Sequence, residues 1–123
     1  MKKLIIVLVL LFAAAALFGQ SIKIGAFPAG KWLDANYDAI WEFSANGIRI
    51  LDSKTGDVAW DFAGKTIQGF DVNLEGRQIG IKFTCPDAGR SYSFKTPSNG
   101  EGDIVMDIER DGLPKYTVTM KKQ

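Results

Sequence analysis

The chain of 123 residues has no histidine and a single cysteine, Cys85. The first absence removes the side chain that most often acts as a general base near neutral pH and most often binds zinc. A serine or cysteine nucleophile would have no imidazole beside it to take its proton. The lone cysteine forbids an intrachain disulfide. An excess of charge of either sign is missing too: 15 Lys and Arg stand against 14 Asp and Glu, for a formal net of +1. Nucleic-acid binding needs a clustered basic face and finds no support in that balance. No two carboxylates stand out as an acid–base couple. The expectation is a protein that is not an enzyme and holds no metal or cofactor. A helical period of useful length is also lacking after the first segment.

What is present is globular. Hydrophobic residues make up 46% and charged residues 24% of the chain, enough for a packed core, and the length allows one domain.

Lys2 and Lys3 precede an unbroken apolar run from Leu4 to Phe18. A short basic stretch, an apolar core of this length and small residues at its end are the marks of a secretory signal peptide. The run is short for a transmembrane span, and a single-pass anchor is the alternative. Cleavage is expected after Gly19, where the polar chain begins at Gln20 and Ser21; Ala14-Ala15-Ala16 offers a second match. The expected organisation is a signal peptide over 1–19 and one domain over 20–123. Cleavage leaves 13 basic and 14 acidic residues. The protein is then exported, periplasmic or secreted, and held together by its core without disulfides.

From Ala39 onward apolar residues recur at every second position, interrupted by turn signals every 8 to 12 residues or so, which is the pattern of an all-β sandwich or barrel. Trp41 and Phe43, Ile48 and Ile50, and Val58, Trp60 and Phe62 form the first sets. Phe70, Val72 and Leu74 follow, then Ile79 to Cys85, Tyr92 and Phe94, Ile104 to Ile108, and Tyr116 to Met120. Strict alternation buries one face of each strand and wets the other. Asn46-Gly47 is a strong hairpin signal. Asp34 to Asp38 has the composition of one short helical turn. Consecutive hairpins favour neighbour pairing, and closure removes exposed edges. With a first strand near Gly30 to Leu33, the count is about eight or nine. The expected fold is all-β, a single antiparallel up-and-down barrel of about eight strands, with a β-sandwich as the alternative.

Gly30-Lys31-Trp32 opens the first expected strand, and Trp41-Glu42-Phe43 precedes Asn46-Gly47. A G-x-W near the expected new N-terminus, followed by an antiparallel meander, resembles the lipocalin-like (calycin) barrels, and most nearly small bacterial lipocalin-like proteins. The resemblance runs as a pattern from Gly30 to Lys122, with G-x-W its one motif. It implies that Trp32, beside Gly30, packs across the closed end of the barrel against a basic side chain from the end of the last strand. Lys121 or Lys122 would take that place, with the ammonium over the ring. The family usually has arginine there. Many members also carry a C-terminal helix that has no counterpart here, and the chain is shorter than a typical lipocalin.

The resemblance also implies a small hydrophobic molecule inside the barrel. Trp41, Phe43, Trp60, Phe83 and Tyr92 are the candidate lining, in an inward set that also holds Phe62, Phe70, Phe94 and Tyr116. An eight-stranded barrel is just wide enough to be filled by side chains or to hold one small ligand, and so many aromatics favour filling. A filled barrel would instead bind a protein partner through its loops, for example as a hydrolase inhibitor, with Pro86 to Arg90 and Pro97 to Asp103 as the contact loops. A structural envelope protein is a third reading.

Other features read plainly. Cys85 falls in the inward phase as a small buried hydrophobe, with a redox-active thiol or an intermolecular disulfide as the functional alternative. Asp52 to Asp57 and Asn99 to Asp103 are rich in oxygen ligands of the kind calcium favours, yet read as turns. Phe27 and Tyr37, before the second strand, are placed to cover one end of the barrel.

Overall fold

The computed structural model describes residues 21–123; the expected signal peptide over 1–19 lies outside the described residues. Nine strands follow one another: β1 (Gly30–Asp34), β2 (Ala39–Ser44), β3 (Gly47–Asp52), β4 (Val58–Asp61), β5 (Gln68–Glu75), β6 (Gln78–Cys85), β7 (Arg90–Pro97), β8 (Ile104–Glu109) and β9 (Tyr116–Lys122). Among the described residues there is no helix, and Ala35 to Asp38, expected as a helical turn, is a tight turn between β1 and β2. The loop of the β2–β3 hairpin is Ala45 and Asn46, because Ser44 pairs with Gly47. It sits one residue earlier than the Asn-Gly signal suggests.

The strands form one strongly curled antiparallel sheet in the order β4-β3-β2-β1-β9-β8-β7-β6-β5. That is one strand more than the expected eight, and the ladder stops short of the expected closure: β4 and β5 are its two edges. Parity explains where the seam falls. Every pairing is antiparallel, including β1 with β9. Nine strands joined only by hairpins would leave β1 and β9 parallel, so one connection must break the alternation. Eight antiparallel steps separate β4 from β5 through the sheet, so these two run the same way. The chain leaving Asp61 must therefore travel back along the molecule before β5 begins at Gln68. It does so through Phe62 to Ile67, with both of those side chains buried. The Thr66 amide donates to Oδ2 of Asp87, tying this crossover to the β6–β7 turn at 2.7 Å.

The curl brings opposite walls into contact. Trp41 and Phe43 of β2 lie 5.3 and 5.2 Å, ring centre to ring centre, from Phe94 of β7, although β1, β9 and β8 stand between those strands in the sheet. Phe62 from the crossover reaches Trp41, Phe83 and Tyr92 at 5.9, 5.3 and 5.3 Å. These are offset and edge-on contacts of the kind aromatic rings favour. The middle of the molecule is filled with side chains.

The two ends differ. At the end where β1 begins, the N-terminal segment folds over the opening. Ile24 donates to the Ala45 carbonyl at the β2–β3 turn, and the Phe27 ring rests on Phe43 at 5.1 Å. Trp32 is completely buried there, edge-on to Phe43. At the other end, where β1 finishes and β9 begins, the inward phase carries polar and charged side chains, and the interior opens.

Candidate functional site

The opening is a cavity of about 280 Å³ between the β1–β3 wall and the β7–β9 wall. Strand alternation decides what lines it. Ala39 and Trp41 continue one inward row on β2, and Ile50 stands in the inward row of β3. Met106 and Ile108 do the same on β8. These make an apolar body with the Trp41 ring near its floor, where that ring also touches Tyr92 and Phe94.

The rim is polar. Asp34 ends β1 on the same face as Trp32 and is buried. Both of its carboxylate oxygens are 3.0 Å from the Tyr116 hydroxyl, which donates to them, and Oδ1 also accepts from the Asn36 amide at 3.0 Å. The Asn36 side-chain amide donates in turn to the Tyr116 oxygen. Burial raises the Tyr116 pKa above its ordinary value of 10; the Asn36 hydrogen bond lowers it and the bond to Asp34 raises it. Tyr116 therefore stays protonated, with its proton committed to Asp34. Tyr37 stands edge-on to Tyr116 at 5.3 Å and remains largely exposed at the mouth.

Across the opening stand Arg90, at the start of β7, and Arg110, just past β8. Both continue inward rows: Arg90 precedes Tyr92 and Phe94, and Arg110 follows Ile104, Met106 and Ile108. Among the described residues neither has a carboxylate oxygen within 4.0 Å. Nε of Arg110 is buried without a hydrogen-bond partner. The phenol of Tyr92 lies beside Arg90. Burial raises its pKa above 10, while the guanidinium pulls it the other way.

The aromatic residues expected to line a binding site are brought into one interior, but they do not share one cavity. Trp41 borders the open-end cavity. Phe43 is buried at the closed end among Phe27, Trp32 and Phe94. Phe83 and Tyr92 pack at a tilt, ring centres 5.2 Å apart, in the filled middle. They also border a hollow of about 320 Å³ whose other walls, such as Lys82, Ser91, Ser93 and Asp107, belong to the outer face of the sheet. Trp60 sits on edge strand β4 under the Lys65 ammonium, 4.6 Å from its ring centre, with its indole nitrogen buried and unpartnered.

The closed end has the geometry that G-x-W requires. Gly30 has φ +147°, and a Cβ there would stand 3.3 Å from two Trp32 ring carbons. The glycine is needed both for its backbone angle and for the space the ring occupies. The Trp32 indole donates to the Gly102 carbonyl at 3.0 Å. Lys122 rather than Lys121 lies over the Trp32 ring, 5.8 Å from its centre. The alternation after Met120 turns Lys121 outward, where it pairs with Asp103 at 2.8 Å. Phe27 and Tyr37 lie at opposite ends.

Cys85 is buried and free. The Asp52 carboxylate is taken up by the Lys54 and Thr55 amides of its own loop, and Asn99 accepts from the Glu101 amide. Loops Pro86–Arg90 and Pro97–Asp103 lie at opposite ends of β7, so they present no common surface.

Arg90, Arg110 and Asp34 escape a reading of sequence that looks for apolar lining. A signal for them exists: each occupies the next inward position beyond, or at the limit of, an alternating run. No known protein family matches the chain, and neither does any curated protein or solved structure.

Proposed function

We propose that this is an exported, non-enzymatic binding protein with a lipocalin-like barrel, which takes one small molecule with an apolar body into the open end. The observation that carries this reading is the open-end cavity itself. The rest of the interior is packed, yet about 280 Å³ stays open over Trp41, Ile50, Met106 and Ile108. An apolar cavity of about 150 Å³ suffices to bind benzene, so this one suits a ligand of two rings or a short acyl chain. In this reading the β4–β5 seam of the barrel is plugged by Phe62 and its crossover rather than by a ladder. The aromatic middle is a floor, which limits the ligand to the outer part of the barrel.

Native mass spectrometry of the protein from its own host tests this. A mass excess that disappears on denaturation is expected in the wild type. It should be absent from Ala39→Phe, which fills the cavity from β2, with the melting temperature kept. A bare monomer mass in both, with no small apolar probe taken up by either, would end the reading and turn attention to the loops at either end as contacts for a protein partner.

A further inference from the structure

The reading above concerns the apolar body of the cavity; its charged rim says more. The β7–β8 ladder pairs Tyr92 with Ile108 and Ser91 with Glu109. One further step along the same register sets Arg90 opposite Arg110, both in the inward phase. Like charges directly opposite across a ladder repel. The pair is not neutralised from within: among the described residues no carboxylate oxygen lies within 4.0 Å of either guanidinium. Nε of Arg110 is buried with no acceptor, and leaving a charged donor desolvated and unpaired is costly. The cavity's own acid is no remedy. Asp34 stands on the opposite wall with its oxygens taken by Tyr116 and Asn36.

We infer that the open-end cavity takes a singly charged anion with an apolar tail, a carboxylate whose oxygens bridge Arg90 and Arg110 while the tail lies over Trp41, Met106 and Ile108. This rests on the reading that the cavity binds a small molecule. Planar guanidinium groups match a carboxylate with paired hydrogen bonds. The charge count sets the valence. Two arginines and Asp34 leave the lining one positive charge. A monoanion neutralises it, whereas a dianion overshoots and meets Asp34 across the mouth. Asp34 also sets the direction of binding, because it repels an anion from the β1–β9 side and leaves the β7–β8 side as the place for the head.

The test is calorimetric titration of the full protein with three probes that share one tail: octanoate, octanamide and octyl phosphate. Octanoate is expected to bind on the order of tenfold or more tighter than octanamide, as one charge-assisted contact would give. That advantage should shrink in 1 M salt. In Arg110→Gln and Arg90→Gln the preference should fall toward parity, chiefly through loss of octanoate affinity, and Arg110→Lys should restore part of it. Thermal melts of each variant establish that it is folded. Equal binding of octanoate and octanamide to the wild type would overturn the anion inference and leave the cavity reading standing. Tighter binding of octyl phosphate than of octanoate would overturn the monovalent assignment. Binding of none of the three, with Ala39→Phe indistinguishable from the wild type, would overturn both readings.

Discussion

The two ends of the curled sheet are built from the same inward rows and finish differently. At the closed end the rows terminate in Trp32, Phe43 and Ile104, all fully buried or nearly so, and the N-terminal segment adds Ile24 and Phe27 on top. At the open end the rows terminate in Asp34, Arg90, Arg110 and Tyr116. One end converts its last positions into packing; the other presents charge to a cavity. A closed end gains from each apolar atom removed from water, roughly 25 cal/mol per Å². A charged rim gains nothing of that kind and bears the desolvation of the buried Arg110 Nε. Stability should therefore be concentrated at the closed end and binding at the open end, and mutations should separate the two.

The largest effect is expected from Trp32→Ala. It removes a fully buried indole, leaves a cavity among Phe43, Gly30 and Lys122, and strips the Gly102 carbonyl of its donor. Buried Trp→Ala changes cost about 3–5 kcal/mol, which is a large part of the stability of a domain this size. Urea denaturation measures it. A loss below about 1 kcal/mol would mean that the closed end is not where the fold is held.

Arg110→Met is the matching change at the open end, and its sign should be opposite. The thioether replaces a buried donor that has no acceptor, and removing such a group from ligand-free protein is neutral or stabilising, by up to about 1–3 kcal/mol. Denaturation without ligand checks this. A loss comparable with that of Trp32→Ala would show that Arg110 holds the fold and would erase the contrast between the ends.

The alternating phase in the sequence already gives most of the strands and the fold class, because one-sided burial in a curled sheet imposes that period on each strand. It fails where that condition fails. Leu74 and Val58 follow the apolar phase but are 64% and 48% exposed, since β5 and β4 are the free edges and have no neighbour to cover them. The β4–β5 crossover is illegible for a different reason. Ala63-Gly64-Lys65 looks like any hairpin turn, and only the global parity of nine strands requires the chain to run back there. The candidate site was legible in part. Trp41 stands in the inward list, but Arg90 and Arg110 lie beside turn residues, where charge is ordinary and carries no information until the register of β7 and β8 places the two opposite each other. Ile22, Ile24 and Phe27 precede the first strand and show too little pattern to announce that they seal one end.

A pH titration sharpens the comparison from the floor of the cavity. The Tyr92 phenol is held above its ordinary pKa of 10 chiefly by burial, against the pull of Arg90. Below pH 10 it is neutral in both folded and unfolded chains and contributes no pH dependence. Above that, the unfolded phenol ionises first, so stability is lost as pH rises toward and through the folded value. Tyr92→Phe should flatten the fall in melting temperature that sets in above about pH 10. Tyr116, shifted in the same direction, should leave a residual slope. Coincident slopes in wild type and variant would place the Tyr92 phenol in contact with water.

The smallest effect separates two adjacent lysines. Lys122 lies over the Trp32 ring and donates to the Gly100 carbonyl at 2.5 Å, so it ties the last strand to the β7–β8 loop across the closed end. Lys121 faces outward and pairs with Asp103, whose carboxyl it holds below its ordinary pKa. An exposed cation over an aromatic face is worth about 0.5–1 kcal/mol, whereas an exposed ion pair in water often contributes nothing measurable. Lys122→Ala should lower the denaturation midpoint by an amount consistent with that contact, and Lys121→Ala should leave it unchanged. In a Trp32→Phe background the Lys122→Ala effect should shrink, because phenylalanine offers the cation a smaller face. The three variants together ask whether the ring itself, or merely positive charge near the end of β9, stabilises the closed end. If the two lysines prove interchangeable, the stabilisation comes from charge.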